Sequence, residues 1–86
     1  MATMAKKTIY RAQYRVLIEH LRLERERLGM AQTQVSRLLG WPQQRLSAVE
    51  AGARRLDVLE FFELAGALGM TQLEAVHLVQ RALRHQ

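Results

Sequence analysis

Residues 32–51 read QTQVSRLLGWPQQRLSAVEA, and the spacing within this stretch predicts two short helices crossing at a tight turn. Val35 and Leu39 lie one helical turn apart on one face of the first, Gln32–Leu39. Ser36 beside them is small enough for a second helix to approach. Gly40 supplies the reversal, and Trp41 follows as an apolar plug. Pro42 is read as a first-turn proline, harmless where the N–H has no helical partner. Leu46 and Val49 form the inner stripe of the second helix, Pro42–Glu50. A step of about 100° per residue then turns Gln43, Gln44, Ser47 and Ala48 outward. Two helices so joined make a helix-turn-helix, whose second helix can present its outer face to the edges of DNA bases.

The chain on either side of this unit is helical in pattern. Tyr14, Leu17, Ile18, Leu21 and Leu28 recur at three- and four-residue steps, predicting a first helix from near Arg11 to Gly29. Residues 1–10 lack such a pattern, carry Lys6 and Lys7, and read as a loose basic arm with a short extended piece at Ile9 and Tyr10. Gly52 closes the third helix, and a basic loop, Ala53–Leu56, follows. Asp57 reads as the cap of a fourth helix through Leu68, with Glu60 three residues on; Thr71 and Glu74 repeat that signature before a fifth. Residues 11–70 are taken as the helix-turn-helix domain and 71–86 as a terminal helix of the same domain. Leu73, Val76, Val79 and Leu83 share one side of that helix, with Leu78 and Ala82 widening the band. So much apolar surface on so small a domain points to a dimer interface, the alternative being a helix that simply caps the domain core.

Composition agrees with an all-α fold. Of 86 residues, 49% are apolar, against five glycines, one proline and no cysteine, so neither disulfides nor a cysteine-bound zinc enters. Thirteen basic residues against eight acidic ones give a net charge of +5, and all but Lys6 and Lys7 are arginine, the side chain suited to phosphate and guanine. No apolar run approaches the roughly 20 residues a membrane helix needs, and MATMAKKTIY has no signal core; a reducing cytoplasm is expected. His20, His77 and His85 lack metal-ligand spacing, and no nucleophile motif, P-loop or GxGxxG occurs. No catalytic residue, metal or cofactor is expected.

Gln43 and Gln44 stand where such a helix enters the major groove, and glutamine pairs bidentately with the N6/N7 edge of adenine. Ala48 offers a methyl contact to thymine. Over roughly residues 17–70, the sequence resembles the Cro/C1-type (XRE, phage-repressor-like) helix-turn-helix family. The features that carry the likeness are LGMAQ entering the second helix, LG at the turn, QRLSAVEAG across the third and LAGALGM at the close. The resemblance implies a compact five-helix, lambda-repressor-like domain that works as a homodimer on palindromic double-stranded DNA. It further implies that Gln32 contacts a phosphate and braces the first reading glutamine, and that Gln43, Gln44 and Ala48 read bases. Arg45 and Ser47 fall where relatives touch phosphate or bases, and Arg54 and Arg55 in the loop against the backbone. Arg37, on the second helix, is expected to reach the same strand. Arg25 and Glu50 fall where the family forms a largely buried ion pair. The chain departs from the family pattern at Pro42, where Ser or Thr often caps the third helix, at Ala51, often polar, and at Trp41, larger than usual. A repressor is the expectation. The alternative is a protein-interaction module, such as an antitoxin masking a toxin or an adaptor, built on the apolar fourth and fifth helices; RNA binding is less favoured without exposed aromatic platforms.

Overall fold

A computed structural model describes the backbone of residues 2–85 and the side chains of residues 11–85. Five helices follow one another: α1 (Ala2–Arg27), α2 (Gln32–Leu39), α3 (Gln43–Glu50), α4 (Val58–Ala67) and α5 (Gln72–Arg84), with no strand among the described residues. α1 packs against α5 and α3, α2 against α3 and α4, and α4 against α5.

Local chemistry sets most boundaries. α2 ends where Gly40 takes a left-handed conformation (φ 71°), which costs a glycine nothing. Gly40 N–H donates to the Arg37 carbonyl and Trp41 N–H to that of Ser36 at 2.9 Å, pairing the last open carbonyls of the helix. The same double pairing closes α1 at Gly29 and Met30. At the start of α4, Glu60 N–H donates to Asp57 Oδ1 (2.7 Å) while Asp57 N–H donates to Glu60 Oε1 (3.0 Å). Thr71 and Glu74 form the matching reciprocal cap on α5.

Four expectations are corrected. α1 begins at Ala2 rather than near Arg11, so positions 2–10 of the expected arm are helical; residue 1 lies outside the described chain. Ala2 and Ala5 are strong helix formers, no glycine or proline interrupts them, and propensity needs no amphipathic stripe. Leu28, expected on the inner stripe, is 41% exposed because the helix has already ended at Arg27. Pro42 is the N-cap of α3, in an extended conformation and without a side-chain cap bond, rather than its first helical residue. α4 ends at Ala67, one residue before Leu68.

The core centres on the α2–α3 crossing. Val35, Leu46 and Val49 are fully buried there, each contributing about 1.5–3 kcal/mol of apolar burial. Ile18, Leu21, Phe61, Leu64, Leu68, Ala75 and Leu78 extend this core into α1, α4 and α5. Trp41 is buried too, as a plug at the turn. α5 turns Ala75, Leu78 and Ala82 inward, two alanines letting it lie close to its neighbours. Val79, expected in the dimer face with Leu73, Val76 and Leu83, packs against the domain's own core. Leu73, Val76 and Leu83 remain exposed.

Candidate nucleic-acid interface

The outer face of α3 is built from its inner one. With Leu46 and Val49 locked in the core, Gln43, Gln44 and Ser47 are exposed and Ala48 is half-buried. Ser36 is buried, with its hydroxyl lacking a hydrogen-bond partner among the described residues. Its small side chain lets α2 and α3 approach at their crossing.

Behind the exposed glutamines runs a chain of polar contacts. Arg25 grips Glu50 bidentately, Nε to Oε2 at 2.7 Å and Nη2 to Oε1 at 2.9 Å, with both side chains nearly covered. The remaining Arg25 nitrogen, Nη1, donates to the Met30 carbonyl at 2.7 Å. The Glu50 hydrogen bonds hold the Arg25 guanidinium above its ordinary pKa. Gln32 Nε2 donates to Glu50 Oε1 at 2.9 Å, and Gln43 Nε2 donates to Gln32 Oε1 at 3.5 Å. A charged pair anchored between α1 and α3 thus orients Gln32, and Gln32 meets the first exposed residue of α3 through a long 3.5 Å contact.

Three of the arginines expected at the DNA backbone have partners within the free chain. Arg45, expected to point at phosphate, lies over the Trp41 ring, its guanidinium carbon 4.1 Å from the ring centre, and pairs with Glu60. Arg54 joins the same carboxylate at 3.1 Å. Glu60 therefore gathers two of the arginines flanking α3 in the free chain. The Asp57 backbone N–H, and then Arg54, hold its carboxyl down to a pKa of about 2. Arg55 stacks on Tyr14 at 4.4 Å, and the Tyr14 hydroxyl accepts a hydrogen bond from Leu56 N–H at 3.0 Å. Arg37 is exposed, with no ion pair among the described residues. Sequence reasoning assigned Glu60 only a capping role and Tyr14 only a core role. The i to i+3 capping signal was readable, whereas partners 6 and 15 residues from Glu60 depend on how the loop before α4 folds back.

Against known proteins, the helix-turn-helix family profile matches residues 21–75, from the last turns of α1 into α5. The chain belongs to the Cro/C1-type (XRE) helix-turn-helix family. This is a family of DNA-binding transcriptional regulators. An uncharacterized HTH-type transcriptional regulator of Sinorhizobium fredii is 44% identical over 55 residues, which cover 64% of this chain and 70% of that protein. An XRE-family like protein from Pseudomonas syringae pv. tomato superposes with a TM-score of 0.82 at 33% identity, over 91% of this chain and 92% of that one. The family likeness extends through the crossing of α2 and α3, so the polar chain from Arg25 to Gln43 lies within the matched region. No described helix is long and apolar enough to cross a membrane, and no cluster of metal-ligating side chains occurs among the described residues.

Proposed function

We propose that this chain is a homodimeric repressor that reads a palindromic operator through α3. The observation that carries the reading is the exposed pair Gln43 and Gln44 at the N-terminal end of α3, the first of them braced through Gln32 and Glu50. A glutamine whose amide is already oriented loses less freedom when it meets a base edge. Ser47 and Ala48 complete the reading face. Arg37 and Arg55 contact phosphates from either side, joined by Gln32. Arg45 and Arg54 do so after exchanging Glu60 for phosphate. The exposed Leu73, Val76 and Leu83 of α5 join two copies, whose α3 helices then lie about 34 Å apart, one turn of the duplex.

Selection from a random duplex library tests this. An inverted repeat with half-site centres about one turn apart is expected, with affinity falling steeply as salt rises. Gln43→Ala with Gln44→Ala should abolish the preference while leaving salt-dependent, sequence-independent binding. A library that yields no motif would overturn the reading and leave the protein-interaction module in its place.

A further inference from the structure

Trp41, Arg45, Arg54 and Glu60 come from the turn after α2, from α3, from the loop after it and from the first turn of α4. The fold gathers them on one flank of the reading helix. The reciprocal cap with Asp57 fixes Glu60 there, its Oε1 accepting from Asp57 N–H. The other oxygen, Oε2, accepts from Arg45 Nη2 and from Arg54 Nη2, the latter at 3.1 Å. Arg54 Nη1 adds a longer contact to Oε1 at 3.4 Å, and the Glu60 side chain is left only 13% exposed. Arg45 lies over Trp41 with its Nε covered and without a hydrogen-bond partner among the described residues. Arg45, Arg54, Asp57 and Glu60 together carry no net charge. A flank that the two arginines would make basic is therefore neutral in the free chain.

We infer that Glu60 is an internal competitor of DNA, an autoinhibitory contact that occupies Arg45 and Arg54 until a duplex displaces it. The inference rests on the proposed DNA-reading role of α3 and adds its regulation. A carboxylate and a phosphodiester offer a guanidinium the same kind of partner, a pair of anionic oxygens. Contacts already made to Glu60 must therefore be broken before either arginine can serve DNA. The carboxylate left behind then stands near the incoming phosphates, and like charges repel. Both costs subtract from binding, and neither depends on base sequence. Glu60 thus sets how tightly the chain holds DNA, while Gln43 and Gln44 set which bases it prefers. The exchange leaves α4 intact, because the cap uses Oε1 and the arginines chiefly use Oε2.

Titration of two labelled duplexes by fluorescence anisotropy tests this, one carrying the selected inverted repeat and one of arbitrary sequence. Glu60→Gln keeps an acceptor for Asp57 N–H and removes the charge. Freeing two arginines from partly exposed ion pairs should tighten both complexes about 2- to 30-fold and leave the selected repeat unchanged. Glu63→Gln removes the same charge one turn along α4, from an exposed residue without an ion pair among the described residues. Its smaller gain measures the effect of net charge alone. In a chain carrying Arg45→Gln with Arg54→Gln, Glu60→Gln should add no more than Glu63→Gln does. A loss of stability cannot imitate the result, since a partly unfolded chain binds more weakly. Each chain is titrated where circular dichroism shows it folded, and Glu60→Ala, uncharged and favourable in a helix, gives a second reading of the same gain. Equal gains from Glu60→Gln and Glu63→Gln, or no gain from Glu60→Gln and Glu60→Ala, would overturn the competitor while leaving the reading role of α3 intact. So would a full gain in the chain without the two arginines. Absence of duplex binding by both the unsubstituted and the Glu60→Gln chain would instead overturn both.

Discussion

Glu50 bears more of the structure than its position at a helix end implies. Its carboxylate accepts from Arg25 twice and from Gln32 once while its side chain is only 8% exposed. A pair of this kind adds little net stability, because desolvating two charges offsets their attraction. Removing one partner is different, since the other charge stays buried without compensation. Glu50→Ala is therefore expected to lower unfolding free energy by about 3–5 kcal/mol, measured by urea denaturation, and an unchanged midpoint would refute the argument. Much of this was legible in sequence: the family resemblance paired Arg25 with Glu50, and the outward set on α3 followed from its inner stripe. The placement of Arg45 was not legible. A helix wheel shows where a side chain leaves the backbone, but a long guanidinium reaches whichever ring and carboxylate the fold puts nearby, here Trp41 and Glu60.

At the level of the element, the N-terminus of α4 does two jobs. Glu60 closes the reciprocal cap with Asp57 and also holds Arg45 and Arg54. Its carboxyl titrates near 2 in the folded chain against an ordinary 4.5. A depressed folded pKa means stability that is fully present above 4.5 and is lost as pH falls from there toward 2. Acid unfolding should show that loss in the unsubstituted chain, whereas Glu60→Gln, which keeps an acceptor for Asp57 N–H but carries no charge, should have a shallower dependence across the same window. Parallel pH profiles would mean that ionisation of Glu60 contributes nothing to stability. The caps of α4 and α5 were readable because each needs only an acceptor and a Glu three residues later. The start of α1 was missed because its early turns carry no periodic apolar pattern in the sequence.

Across the whole molecule, the question is which apolar surface the domain keeps for itself. Ala75, Leu78, Val79 and Ala82 face its own core, while Leu73 and Leu83 stay 65% and 55% exposed. On the proposed dimer, Leu73→Asp with Leu83→Asp should convert the chain to a monomer in light scattering without loss of helical circular dichroism. DNA affinity should fall as the second half-site contact is lost. A variant that still elutes as a dimer would move the interface off this face of α5.

The local rules of helix chemistry made α2 through α5, the caps of α4 and α5, the turn at Gly40 and the outward glutamines of α3 determinable from the sequence alone. Each depends on residues within one or two turns of one another. Only the tertiary structure decided which of two apolar stripes on α5 turns inward. Both stripes have helical period, and the narrower one, with Ala75 and Ala82, won because small side chains allow α5 to lie close against α1 and α4. It also decided that Glu60 collects Arg45 and Arg54 while Arg11, Arg15 and Arg55 line one groove. Charges far apart in sequence have no periodicity to reveal them, and their partners are chosen by the fold that brings them together.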